Sequence, residues 1–401
     1  MELTPIHAFG IYGPIRDNVV VYKYDREKEG VIFPVGGHLA AFTPEENEMN
    51  FFERKQSNND AITALALSPS QKVVAAAFHG SLGDGAQVNI FKTGSRQRIT
   101  TLLHRSKINS MCFSTDSKLL IGSSEDLITI WSWEKEKLDY SESITGTITR
   151  LSCPLRSTTS FGLLICSTGT CHARVWVASS RHRLNNFMIM QNQAKEQKFI
   201  FQDHTWLKNN DNEGVLRLAL VMEPRKKTTG PESVCFSDIS IAIYQVNHNL
   251  TSTRPCLDLE ETIPISLNEN IKIFSIAPFN TTPGFYLGGS KGTLLAYEHE
   301  QDRNGEVTFT QSHQFRKPET NEGFTSIQGF SANEDTFLIV SDAMKVYTYC
   351  LSNSGDRETE EDNEFIPFIP NYHHGGIVDI DCSVEKSLLG CCGGRENVIS
   401  I

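Results

Sequence analysis

The sequence predicts an all-β protein assembled from a repeated unit, and three observations lead there. Short apolar runs of strand length, bounded by Ser, Pro, Gly and Asp turns, recur along the 401 residues. No segment carries a helical period of useful length, a heptad pattern or the roughly 18 to 20 apolar residues that a membrane-spanning helix needs. Finally, the runs fall into a repeating grammar, clearest at Ile62–Phe91 and Ile108–Trp133: a first strand, a Ser-Pro or Ser-Thr-Asp turn with Lys behind it, an apolar strand ending in small residues, a polar turn, and a β-branched strand closing on an aromatic. That is the grammar of a WD40-type β-propeller blade, with small residues such as Ala75–Ala77 or Gly122 and Ser123 near the crowded channel and Phe91 and Trp131 filling space between blades.

The units follow in order. Val19–Thr43 (VVVYKYD, GVIFPVGG, HLAAFT) reads as a first blade, before the two clear copies. In the second, alternation puts Ile62, Ala64 and Ala66 on one face of a strand and Thr63, Leu65 and Leu67 on the other. Weaker copies span Ile148–Val177, Ile271–Tyr297 and Phe324–Cys350, and Lys198–Val246 is degenerate but rich in strands. This makes seven units, at spacings of about 40 to 75 residues against the roughly 40 to 45 of an undecorated repeat. Polar inserts at Arg225–Glu232, Thr251–Glu261, Glu300–Asn321 and Ser352–Glu364 account for the longer spacings and are expected to be surface loops. An eighth unit begins at Ile377 and stops at Ile401 before its last strand reaches an aromatic, so the sequence looks cut off there. The expected organisation is a first propeller over residues 1–370, with 371–401 either opening a second propeller or closing the first.

Composition narrows the function. A net charge of −11 works against sequence-independent binding to nucleic acid or acidic membranes, and any contact with the acidic surface of tubulin would need a local basic patch. The N-terminus, MELTPIHAFGIYGPIRDN, lacks the charged start and apolar stretch of a secretory signal, so an intracellular protein is expected. In that setting the ten scattered cysteines act as small apolar side chains, and the glycosylation patterns at Asn249 and Asn280 carry no meaning.

Candidate chemistry is sparse. Cys166, Cys171 and His172 cluster without the paired spacing or fourth ligand of structural zinc, and the adjacent Cys391 and Cys392 on a strand face opposite ways, with Cys382 on another. The Gly80–Gly85 run lacks the helix and Lys-Ser/Thr of a phosphate loop and reads as a hairpin turn. Gly288-Gly289-Ser290-Lys291-Gly292 matches the nucleophile elbow literally, but a strand follows it instead of a helix. His373-His374-Gly375-Gly376 sits where WD repeats place a Gly-His turn, and Asp126 and Asp342 sit in turns where an aspartate bonds a neighbouring turn. No acidic or His side chains are expected to converge at the channel mouth, and no catalytic residue, cofactor, metal or small-molecule substrate is expected. The basic run Arg225, Lys226 and Lys227 is a possible partner-contact loop, and the acidic run Asp356–Glu364 is a solvated loop with docking as a second role.

The order of the motifs resembles the cilia- and flagella-associated protein 57 family of axonemal WD-repeat proteins. The resemblance is carried by HAFGI at His7–Ile11, VIFPVGGH at Val31–His38, ITALALSP at Ile62–Pro69 with Gln71-Lys72, and INSMCFSTDSKLL at Ile108–Leu120. It continues through Trp131–Lys135, HTWL at His204–Leu207 and KSLLGCC at Lys386–Cys392, and is poorest from Arg225 to Leu259. It implies tandem propellers followed by coiled coil, in a non-enzymatic scaffold of the ciliary or flagellar axoneme. The implied partners are inner-arm dynein, neighbouring axonemal proteins and tubulin on doublet microtubules. A cytoplasmic WD-repeat adaptor or microtubule-associated protein outside cilia is the alternative.

Overall fold

The computed structural model describes residues 11, 16–25, 28–53, 61–80, 85–154, 162–178, 184–190, 196, 198–208, 216–225, 239–248, 255–265, 271–280, 282–301, 307–317, 320–330, 336–350 and 365–369, and beyond them the strands within 377–382, 389–393 and 399–400. Apart from one turn of 3₁₀ helix at Trp133–Lys135 and a lone helical position at Glu196, the regular structure among them is β-strand.

The strands form antiparallel blades in chain order. Blade 1 is β1 (Val20–Lys23), β2 (Glu29–Val35), β3 (His38–Thr43) and β4 (Glu48–Phe51); blade 2 is β5 (Ala61–Leu67), β6 (Val73–His79), β7 (Ala86–Lys92) and β8 (Arg98–His104). Blade 3 is β9 (Ser110–Phe113), β10 (Leu119–Ser123), β11 (Leu127–Ser132) and β12 (Lys137–Ser143). Blade 4 is β13 (Thr147–Ser152), β14 (Leu163–Thr170), β15 (His172–Ala178) and β16 (Leu184–Met188), and a single bridge between Thr170 and Ile200 joins it to blade 5: β17 (Phe199–Leu207), β18 (Leu216–Pro224), β19 (Ser240–His248) and β20 (Pro255–Pro264). Blade 6 is β21 (Ile273–Pro278), β22 (Gly284–Gly289), β23 (Thr293–Gln301) and β24 (Val307–Arg316). Blade 7 is β25 (Phe324–Gly329), β26 (Thr336–Ser341), β27 (Val346–Cys350) and β28 (Ile366–Pro367).

The core is not one cluster but a series of apolar seams, one for each pair of neighbouring blades. Tyr22 and Ile32 meet Val74 and Phe91 between blades 1 and 2. Val88 and Ile90 meet Ile108 and Trp131 between blades 2 and 3. Similar seams follow around the molecule, and the last brings Phe330, Leu338 and Val340 of blade 7 against Val19, Phe33 and Phe42 of blade 1. The ring is therefore closed by packing of the first blade on the seventh, with no strand shared between them among the described residues. At that closure Gln328 accepts from the Val21 N–H at 3.2 Å and donates to the Val19 carbonyl. Phe91 and Trp131 lie in the seams as their positions in the repeat require, and Gly122 is glycine because a Cβ there would lie 2.9 Å from the Trp131 ring.

Two sequence expectations change. Thr251–Glu261 and Glu300–Asn321 are not simply surface loops: they contain much of β20 and all of β24, the outermost strands of blades 5 and 6. β24 is so exposed, with Phe309 its one fully buried side chain among those described, that it reads as a polar insert. The second change concerns the faces of β5. A register shift between Ile62 and Ala64 sets Ile62 with Leu65 and Leu67 against blade 1, while Ala64 and Ala66 face blade 3. A bulge inserts one unpaired residue, so alternation read straight through it assigns the residue beyond to the wrong face.

This bulge recurs at the start of the first strand in blades 4, 5, 6 and 7, between Ile148 and Arg150, Phe201 and Asp203, Ile273 and Ser275, and Phe324 and Ser326. Past blade 7, β29 (Ile377–Cys382), β30 (Leu389–Gly393) and β31 (Ile399–Ser400) pair with one another, and the shift appears once more between Ile377 and Asp379. The Ile377 unit thus repeats the blade pattern.

Candidate functional site at the centre of the ring

The first strand of each blade is the innermost, and these strands neighbour one another around the ring. A bulge on such a strand takes the inserted residue's carbonyl out of the ladder. In blades 5 and 6 the inserted residues are Gln202 and Phe274, and Arg16, in the turn before blade 1, donates to both carbonyls at 2.5 Å. One arginine thereby crosses from the start of the chain to two blades on the far part of the ring.

Arg16 also pairs with Asp203 at 3.3 Å, and Arg150 of β13 donates to the other oxygen of the same carboxylate. The Asp203 oxygens further accept from the backbone N–H groups of His204 at 2.7 Å and Ile276 at 2.9 Å. Asp17 completes the set, 3.5 Å from Arg150 and accepting from the Ser326 hydroxyl at 3.1 Å. Two arginines and two carboxylates thus link the segment before blade 1 to blades 4, 5, 6 and 7. The charges balance and the fully buried carboxylate is surrounded by donors, which is the condition for keeping a charge out of water.

Next to this network His204 is fully buried, with Ser152 Oγ 2.7 Å from Nε2 and Thr168 Oγ1 2.7 Å from Nδ1. Burial first, and the Arg150 and Arg16 charges second, hold its pKa well below the usual imidazole value. Ser, His and Asp are close together here, yet the arrangement is not a nucleophilic triad. His204 Nδ1 is engaged by Thr168, and Asp203 accepts from the His204 backbone instead of orienting the ring. With both ring nitrogens occupied and no exposed surface, this His is a clamp across β13, β14 and β17.

Acidic and His side chains thus converge in the buried interior along the inner strands, from positions that no local motif could join: the two Arg16 contacts span 186 and 258 residues. The available signal was a charge inside an apolar inner strand, Asp203 in FIFQDHTWL and Arg150 in TITRLS.

Several other sequence candidates are described, and their side chains bond to neighbouring turns and strands. His172 lies in blade 4, where Trp176 Nε1 donates to Ser167 Oγ at 2.7 Å, Ser167 Oγ lies 2.8 Å from His172 Nε2, and His172 Nδ1 lies 3.1 Å from the Thr145 carbonyl. Burial pushes its pKa down to about 4, so it is neutral at pH 7. Cys166 is buried on β14 and Cys171 occupies the turn before His172 with φ of 56°. Among the described residues no group of three or more His, Cys, Asp or Glu could hold a metal ion. Gly80 and Gly85 flank the hairpin joining β6 to β7, where a Cβ on Gly85 would lie 2.4 Å from the His104 carbonyl. Ser290 lies in the β22–β23 turn, its hydroxyl accepting from the Lys272 N–H at 3.0 Å, and the strand that follows leaves no nucleophile elbow.

Asp342 accepts from the Gly323 N–H at 2.9 Å, while Asp126 bonds Ser124 and Arg105, both in the turn-bonding manner expected. Arg225 is exposed at the end of β18, its N–H bonded to the Lys198 carbonyl at 2.7 Å and its guanidinium 3.4 Å from Cys171 Sγ. Lys226, Lys227, the Asp356–Glu364 run and His373–Gly376 lie outside the described residues, as do the side chains of Cys382, Cys391 and Cys392.

No protein-family model matches the chain, and no curated protein matches it. Solved structures do. The β-propeller domain of Cps50 (Swd1) from Myceliophteria thermophila superposes with a TM-score of 0.56 at 11% identity, covering 87% of this chain and 98% of that one. A chain of Kuenenia stuttgartiensis hydrazine synthase gives 0.59 at 9% identity, covering 88% and 99%, and a chain of the mitotic checkpoint complex gives 0.55 at 9%, covering 88% and 95%. The closed ring of blades and these likenesses define the chain as a WD40-type β-propeller. The fold by itself sets no function, and one of its neighbours comes from an enzyme, so function has to be argued from the site.

Proposed function

We propose that this chain is a non-enzymatic docking scaffold of the ciliary or flagellar axoneme that holds inner-arm dynein components and neighbouring axonemal proteins on doublet microtubules. The scaffold half rests on one observation: the polar groups at the centre of the ring are bonded to one another, Asp203 alone accepting from Arg16, Arg150, His204 and Ile276. Contacts are then left to loops and outer strands held at fixed angles by a closed ring. The axonemal half rests on the order of motifs from His7 to Cys392. With a net charge of −11, contact with acidic tubulin would run through a local basic group such as the Arg225–Lys227 run.

The test is to localise the tagged protein in a ciliated cell before and after detergent and salt extraction of the axoneme. Retention after detergent at a regular longitudinal repeat is the expected result. A diffuse signal lost with detergent would overturn the axonemal half and leave a cytoplasmic adaptor.

A further inference from the structure

Blades 3 and 4 bring two thiols together. Cys112 on β9 and Cys153, just after β13, are half-buried at the seam between the blades, with their sulfurs 3.8 Å apart. Hydrogen bonds fix the two strands on either side of the pair. Before it, the Leu151 N–H donates to Ser110 Oγ at 2.9 Å; beyond it, Thr115 Oγ1 donates to the Pro154 carbonyl at 2.8 Å. A disulfide needs a sulfur separation of about 2.05 Å, so each sulfur would move by less than about 1 Å.

We propose that Cys112 and Cys153 are an oxidation site, closing under peroxide into a disulfide that staples blade 3 to blade 4. Cys112 takes an oxygen from hydrogen peroxide: an S–O bond forms, the O–O bond breaks and water leaves. The Cys153 sulfur then attacks the Cys112 sulfur, the S–S bond forms, and the S–O bond breaks to release a second water with the Cys153 proton. Two thiols lose two electrons and two protons, and the peroxide takes up both. The order follows from the surroundings of Cys153, whose hydrogen bond with Cys112 and burial keep its thiol protonated well above the usual range.

The sequence makes the test clean, because trypsin releases each cysteine in its own peptide, Ile108–Lys118 and Leu151–Arg156. The full chain is treated with hydrogen peroxide, blocked with N-ethylmaleimide, digested without reductant and mapped by mass spectrometry. The expected product is the two peptides joined, two hydrogens lighter than their sum, lost on reduction and absent from Cys112→Ser. The unfolding midpoint should rise by roughly 5 °C and return with dithiothreitol, as a cross-link does when it restricts the unfolded chain. Recovery of both peptides as maleimide adducts, or of either as an unlinked sulfinic or sulfonic acid, would overturn the proposal. The wild-type map decides the matter even if the serine variant does not fold.

Discussion

Blade 3 makes its four strands from four, five, six and seven residues, whereas blade 5 uses nine, nine, nine and ten. Blade 3 spends its short strands on specific contacts. Trp131 sits over Gly122, His104 meets the Trp131 ring edge-on at 5.8 Å, and Trp133 Nε1 donates to the Ser117 carbonyl at 2.8 Å. Blade 5 lacks that grammar. It relies on length, with the stretch Leu216–Met222 buried throughout, and on charges inside the protein: Asp203 at the centre and the Arg217–Glu260 pair at 2.9 Å. Side-chain grammar and strand length are thus two routes to the same seam, and only the first leaves a short sequence motif.

If that contrast holds, the largest single loss should come from the keystone of blade 3. Trp131→Ala should cost about 4 to 5 kcal/mol, read as a drop in the denaturant midpoint, because it empties the seam shared with blade 2. In blade 5 the corresponding loss should come from charge. Asp203→Asn keeps the shape but leaves Arg16 and Arg150 facing a neutral group, and should cost about 3 to 4 kcal/mol in the same measurement.

Arg217 sharpens the comparison further. Arg217→Leu alone should cost about 3 kcal/mol, since Glu260 keeps a charge in a largely buried place, while adding Glu260→Leu should recover most of that loss. A double variant no better than the single one would show that the blade depends on the ion pair itself.

The smallest effect is pH-dependent and lies in blade 4. The folded-state pKa of His172, about 4, is below the ordinary imidazole value of 6.5, so folding excludes a proton that the unfolded chain binds. The stability this contributes is complete above pH 6.5 and is lost as pH falls toward 4. Between pH 7 and pH 5 the loss should be about 2 kcal/mol, and His204 adds to it in the same direction. A chemical-denaturation series across that range should show stability rising with pH, with a shallower slope in His172→Gln.

The same contrast explains what the sequence reveals. Blades 2 and 3 are legible because their turns, small residues and closing aromatics fall within one repeat. The number and order of blades follow from them, down to the unit opening at Ile377. The outer strands β20 and β24 are hidden because a strand in contact with water on its edge is written in polar residues. The bulges are hidden as well, since Thr63 fits an alternating pattern whether or not a register shift follows it. The centre is hidden most completely: Arg16 finds its partners only after six blades have bent the chain into a ring.

The central claim is that blades 1 to 7 close on one another through the seam between blade 7 and blade 1, without the Ile377 unit. Its most direct test is to compare thermal unfolding of the full chain with a version ending at residue 370. The account predicts a folded, cooperative shorter protein with its midpoint within a few degrees of the full chain. Loss of cooperative unfolding, or aggregation of the shorter chain alone, would contradict it and make the Ile377 unit part of the ring's closure.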